Sequence, residues 1–216
     1  MVAGGNLTSD PPDDIYSGVV GISNVRLLFL LAAVNRLEVM AADVGNAYLY
    51  ASNKEKVYII AGPEFGENYD GKRLLIDKSL YGLKTAAARF HEHLSSTLRE
   101  LGFLPSKGDH NLWYKDLGTH YEYIATYVDD LMIASKNPRE LIDKIEKIYT
   151  LKGVEEPKYY LGGNVEVLGE EWSKSGIRWG LSSKTYLENV IPKLQNLMGN
   201  NSQLLAHLWQ KHIIQN

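Results

Sequence analysis

Apolar residues along this chain alternate between helical and strand spacing, and the switches mark out its elements. From Ser23 or Asn24, either of which can cap a helix, Leu27, Leu28, Leu31 and Val34 recur at helical spacing to about Arg36. Residues 37–43 (LEVMAAD) then read as a buried strand, and Gly45-Asn46 as a turn. Residues 57–60 and 73–76 read as a hairpin around a loop rich in glycine and acidic residues. Residues 84–101 predict a helix whose apolar face is Phe90, Leu94, Leu98 and Leu101, stopped by Gly102. Residues 112–114, 121–127 and 131–135 read as strands, the last two joined at Val128-Asp129-Asp130. Asn137 caps the next helix, with Pro138 in its first turn and Glu140 completing a capping-box pattern. Residues 159–167 and 172–181 read as late strands. Ser183 opens a last helix, which Pro192 is expected to kink.

These helices do not simply follow each strand, which favours an α+β fold over a doubly wound sheet. Three segments are expected. Residues 1–14, with Asp10-Pro11-Pro12-Asp13-Asp14, read as a disordered leader, and residues 15–198 as the folded part. Residues 199–216 follow a break at 200–203 and form a tail without a place in the pattern.

Composition narrows the function classes. With 44% hydrophobic and 23% charged residues among 216, the chain can bury a core. The apolar run 27–34 is far short of the roughly 20 residues that cross a bilayer, and the acidic leader before it does not suit a secretory signal. A net charge of -3 lacks the basic excess of a stand-alone nucleic-acid binder. Any such role rests on local geometry or on basic parts outside this chain. The absence of cysteine removes disulfides, thiolate zinc sites and cysteine nucleophiles together. The histidines have no ligand-like spacing, and no GxSxG occurs.

The chemistry is concentrated in carboxylates. Tyr127-Val128-Asp129-Asp130 lies between two apolar segments, so two adjacent acids sit at a tight strand connection. Their repulsion is relieved best by a divalent cation with oxygen ligands, of which Mg²⁺ is the one that also takes substrate phosphates. An Asp-Asp pair alone reads first as a good turn sequence. Asp43 changes the balance, because it ends an apolar strand beside a glycine turn. If that strand adjoins the hairpin, three carboxylates surround one point, as two-metal phosphoryl transfer requires. The backbone N–H groups of Asn46 and Ala47 are then candidates to receive triphosphate oxygens.

With these residues in view, the sequence resembles the reverse transcriptase domain of copia-type retrotransposons. Asp43-Val44-Gly45-Asn46-Ala47-Tyr48 resembles that family's first palm motif, and Ser79-Leu80-Tyr81-Gly82-Leu83-Lys84 is nearly a signature of it. Tyr127-Val128-Asp129-Asp130 matches the catalytic hairpin, and Tyr159-Tyr160-Leu161-Gly162 the motif that follows. Residues 15–17 and 25–28 also resemble the approach to the first motif, and all of these stand in the family's order.

The resemblance implies a right-hand polymerase palm, a ferredoxin- or RRM-like antiparallel sheet with helices on one face and partial fingers. It implies Asp43, Asp129 and Asp130 as catalytic carboxylates, with metal at Asp43, Val44, Asp129 and Asp130. Two Mg²⁺ ions are the implied cofactors, Mn²⁺ a substitute. Asn46, Ala47, Tyr48, Tyr81 and Gly82 would bind substrate, Tyr48 as the gate against a 2′-hydroxyl. Tyr160, Leu161 and Gly162 would form the primer grip. The implied partners are an RNA or DNA template-primer, deoxynucleoside triphosphates, and the integrase and ribonuclease H parts of a polyprotein. No membrane partner is implied, and the location is a cytoplasmic particle or the nucleus. The chain departs from the family at Thr85-Ala86-Ala87-Ala88-Arg89, where Gln-Ala-Pro-Arg is usual, and before residue 15, where basic finger strands are usual. Those cations stabilise transition-state charge, so weak or absent polymerisation is expected of the chain by itself. The alternative expectation is a palm remnant that serves as a non-catalytic interaction module.

Overall fold

The computed structural model describes residues 2–11, 15–168 and 178–198. In chain order its elements are α1 (Ile22–Asn35), β1 (Glu38–Val44), β2 (Tyr58–Ile60), β3 (Arg73–Leu75), α2 (Ala86–Glu100), β4 (Leu104–Pro105), β5 (Leu112–Asp116), β6 (Tyr121–Tyr127) and β7 (Asp130–Ser135). There follow α3 (Pro138–Glu146), β8 (Leu151–Glu155), β9 (Tyr159–Tyr160), β10 (Gly163–Leu168), β11 (Arg178–Ser182) and α4 (Lys184–Met198). Six strands form one antiparallel sheet in the order β4-β5-β6-β7-β1-β8, while β2-β3 and β9-β10-β11 make two smaller sheets.

β7 explains the layering. Its residues Leu131, Met132, Ile133 and Ala134 are all fully buried, so this strand is covered on both faces. An apolar run without alternation has that consequence. Leu131 and Ile133 point to one face and pack with Phe90, Leu94 and Leu98 of α2 and Leu141, Ile142 and Ile145 of α3. Met132 and Ala134 point to the other and pack with Val25, Leu28, Phe29 and Ala32 of α1. Helices therefore lie on both faces of the main sheet, not on one. The β10-β11 hairpin joins α1 on the second face, where Trp179 stacks on Phe29 at 5.6 Å.

Several element ends differ from their expected places. Neither Ser23 nor Asn24 caps α1, which begins two or three residues earlier, after Gly21. Its first turn is held by Asp109, whose Oδ2 accepts from Gly21 N at 3.0 Å and Asn24 Nδ2 at 2.7 Å. A residue 88 positions away does the work of a local cap. Asn137 does cap α3, its side chain accepting from Glu140 N at 3.4 Å. Glu140 does not reciprocate, because its carboxylate pairs with Lys144 at 2.7 Å. α2 begins at Ala86, leaving Lys84 ahead of it. Pro192 lies inside α4 without ending it.

β8 was not expected, because only Leu151 and Val154 in it are apolar. The span 159–167 is not one strand: Leu161 and Gly162, with φ of 48° and 81°, turn the chain between β9 and β10. Two residues of positive φ match the hairpin twist. Residues 2–11, expected to be disordered, include a 3₁₀ turn over Gly5–Leu7 and dock against residues 81–84. Residues 12–14, most of the expected strand at 172–181, and the tail 199–216 lie outside the described residues. No helix among the described residues is long and apolar enough to cross a membrane.

Candidate functional site

The order of the main sheet puts β1 beside β7, with Asp43 as the register partner of Asp130. Directly opposed residues on antiparallel strands point to the same face, with Cβ atoms about 5 Å apart. Asp129 lies in the two-residue connection whose flanks, Tyr127 and Asp130, are themselves partners. Val44 N donates to Asp129 O at 2.9 Å, tying the end of β1 to the hairpin tip. The three acids are thus neighbours at one end of the sheet, although 86 positions of sequence separate Asp43 from Asp129 (129 - 43).

The hairpin tip is strained. Val128 has φ of 54°. This is the first position of a two-residue turn, where glycine is normal and a β-branched side chain is a true outlier. Such strain persists only where surrounding contacts hold it, and it clusters at functional sites.

Electrostatics register the crowding. Burial, then the carboxylates of Asp129 and Asp43, push Asp130 up to about 6 from 3.8. Burial and Asp129 also raise Asp43, opposed by the ammonium of Lys152. Among the described residues, no three Asp, Glu, His or Cys side chains close on one point tightly enough to hold a metal ion. The arrangement is a facing pair of carboxylates with a third acid at the adjoining tip.

Two tyrosines flank this end. The rings of Tyr48 and Tyr81 lie 4.4 Å apart, and Phe90 meets Tyr48 edge-on at 6.3 Å. Burial first, and then Asp129, raises both phenols above their usual value. Residues 43–48 and the SLYGLK segment of residues 79–84 therefore meet beside the acids. Asn46 is exposed, with φ of 55°, and Ala47 is fully buried.

Gly82 has φ of 95°, and a Cβ there would overlap Ala3 O. The close approach that this glycine permits is made by the chain itself, where Ala3 N donates to Tyr81 O at 2.7 Å. Lys84 Nζ donates to Thr8 O and to Asp10 Oδ1, each at 2.9 Å. The leader thus packs along the segment that carries two of the expected substrate-binding residues.

A hollow of about 190 Å³ opens beside the acids, lined among others by Asp43, Asp130, Gly153, Lys158 and Tyr160. Tyr160 is 4% exposed, and its buried hydroxyl has no hydrogen-bond partner among the described residues. Leu161 and Gly162 form the turn next to it. The carboxylates thus have the Tyr48–Tyr81 ring pair near them and a hollow lined by Tyr160 beside them. Lys152 was missed, because β8 carries too little apolar pattern to announce itself.

A mixed α/β chain with an antiparallel sheet and neighbouring acids at a strand hairpin is compatible with a reverse transcriptase domain. The chain belongs to the reverse transcriptase (RNA-dependent DNA polymerase) family, matching it over residues 5–207. Its relatives are Ty1/copia-type polyproteins, which makes it a copia-type domain. It is 29% identical over 206 residues to the retrovirus-related Pol polyprotein from transposon TNT 1-94 of Nicotiana tabacum, covering 91% of this chain and 15% of that protein. It is 32% identical over 175 residues to the transposon Ty1-BL Gag-Pol polyprotein of Saccharomyces cerevisiae, covering 76% and 9%. It is 31% identical over 128 residues to a putative transposon Ty5-1 protein of the same yeast, covering 57% and 41%. The chain therefore spans less than half the length of each of these relatives. The family match is wider at both ends than the expected folded span of 15–198.

Proposed function

We propose that the chain is the palm of a copia-type reverse transcriptase, built for template-directed DNA synthesis by two-metal nucleotidyl transfer. The observation that carries this reading is the pairing of Asp43 with Asp130 across β1 and β7, with Asp129 at the adjoining tip. Mg²⁺ needs only one or two protein carboxylates, completing its shell with water and phosphate oxygens, so Asp43 with the acids of the adjoining hairpin is a donor set that suits it. Bound there, the ions would activate the primer hydroxyl and steady the leaving group. Asp43 and Asp129 supply the direct ligands in this reading, with the Val44 carbonyl beside them and Asp130 as the third acid.

Tyr48 is the sugar gate in this reading, its ring packed against those of Tyr81 and Phe90. Tyr81 and Gly82 form the ledge beside it, while Tyr160, Leu161 and Gly162 face the primer end across the hollow. Template-primer and deoxynucleoside triphosphates are the substrates, and the remaining polyprotein parts are the partners. A second reading, a palm remnant acting as an interaction module, is favoured by the net charge of -3, since phosphate binding rewards a basic excess.

Primer extension with Mg²⁺ or Mn²⁺ separates the two readings. Incorporation by the chain above that of an Asp129→Asn variant supports the polymerase. Equal background in both would sink it and leave the module.

A further inference from the structure

The strand that the sequence pattern did not announce adds a charge to the site. On β8, Lys152 is the register partner of Asp43, and Asp43 is in turn the partner of Asp130 on β7. Directly opposed side chains share a face, so a carboxylate, a carboxylate and an ammonium form a row across three strands. Like charges directly opposed destabilise a sheet and opposite charges support it. Asp43 is thus set between one unfavourable neighbour and one favourable one.

Gly45 makes room for this lysine. A Cβ built at Gly45 would lie 2.8 Å from Lys152 Cε and 3.4 Å from Cδ, so the lysine stem runs over the bare glycine. Gly45 is itself fixed there by its N–H, which donates to Thr150 O at 2.9 Å. The stem is therefore held along the end of β1 that carries the acids. The other lysine nearby, Lys158 on the rim of the hollow, is paired with Glu155 at 3.2 Å. Lys152 forms no ion pair within 4 Å among the described residues, and it is exposed. It acts on Asp43 across the strand pair without being locked to it, and its field lowers the affinity of that carboxyl for a proton.

We propose that Lys152 is a placeholder cation, whose ammonium offsets the charge of Asp43 in the metal-free protein and which a divalent ion must overcome to bind there. The proposal rests on the reading of Asp43 as a metal ligand. Lys152 is then a positioning residue, acting on the reaction through Asp43. Its stem is long enough for the ammonium to retreat into solvent when a doubly charged ion arrives. The arrangement keeps the acids tolerable without metal and weakens their hold on it.

The test uses the whole chain and two readouts that do not depend on polymerisation. The first is a double-mutant cycle of Lys152→Met and Asp43→Asn by urea unfolding in EDTA. It should show coupling of about two- to five-fold in the unfolding equilibrium constant. The second is Mn²⁺ binding, followed by the electron paramagnetic resonance of the free ion. Lys152→Met should bind Mn²⁺ about three- to five-fold more tightly than wild type, since a unit charge no longer repels the ion. Lys136→Met makes the same change in net charge at the far end of β7 and should bind as wild type does. Lys152→Arg should restore both properties. Absence of coupling in the cycle overturns the proposal, whatever the metal does. Coupling with unchanged or weaker Mn²⁺ binding in Lys152→Met overturns it too. A wild-type chain that binds no Mn²⁺ overturns the metal reading beneath it, and the cycle then reports a structural ion pair alone.

Discussion

Replacing Asp130 by asparagine keeps the size and shape of the side chain and removes its charge. Burial and the carboxylates of Asp129 and Asp43 hold this group at about 6, against an ordinary 3.8. A shift of roughly two units corresponds to about 3 kcal/mol at full effect. The side chain is only half-buried, so water and salt screen much of this, and about 1 kcal/mol is the reasonable remainder. The sign follows from linkage. A carboxyl whose folded-state pKa is raised is penalised wherever it must ionise, so wild-type stability falls as pH rises from about 4 through 6. Asp130→Asn should therefore be more stable than wild type in EDTA at about pH 7.5, by about 1 kcal/mol, or about 2–4 °C in Tm for a chain of this size. Near pH 4 both side chains are neutral and the gain should vanish. Thermal unfolding at the two pH values, monitored by circular dichroism, measures this. A variant no more stable than wild type near pH 7.5, or a gain that persists unchanged near pH 4, would refute the crowding argument.

Further outcomes follow from other parts of the structure. Asp109→Ala should cost about 1–2 kcal/mol in urea unfolding, because the first turn of α1 loses the acceptor that bridges Gly21 and Asn24. Although burial opposes it, hydrogen bonds from Gly21, Asn111 and Asn24 leave the Asp109 carboxyl below its ordinary value. Its contribution should be present above about pH 4 and fade as pH falls, so the wild-type advantage over Asp109→Ala narrows in acid. Val128→Gly should stabilise the chain by up to about 1 kcal/mol, as glycine adopts the φ of 54° without strain. An unchanged or lower urea midpoint for that variant would mean that the hairpin tip is not strained.

The comparison of sequence with structure is clearest at the carboxylates. Local pattern was enough to find β1 and most of β7, because apolar runs and turn residues are read within a few positions, although Asp130 reads as part of the turn and is the first residue of β7. It also found α2 and α3 through their apolar faces, and it set Asn137 as a cap. Whether Asp43 and Asp130 meet was not local, since it depends on β1 adding to the β6-β7 hairpin edge in one register. A slip of a single residue would turn Asp43 to the opposite face.

The same limit accounts for what was missed. The cap of α1 comes from Asp109, and no window of sequence contains both partners. The leader reads as disordered by composition, yet its backbone finds donors and acceptors along residues 81–84. β8 has little apolar pattern of its own and exists because the edge of β1 accepts it, which is how Lys152 comes to stand beside Asp43. Which acids, tyrosines and glycines the chain carries, and which elements hold most of them, can be read along the chain, since spacing and turn chemistry act over short range. Which of them face one another, and with what charge between them, is settled by the fold, because strand pairing joins segments that have no local knowledge of each other.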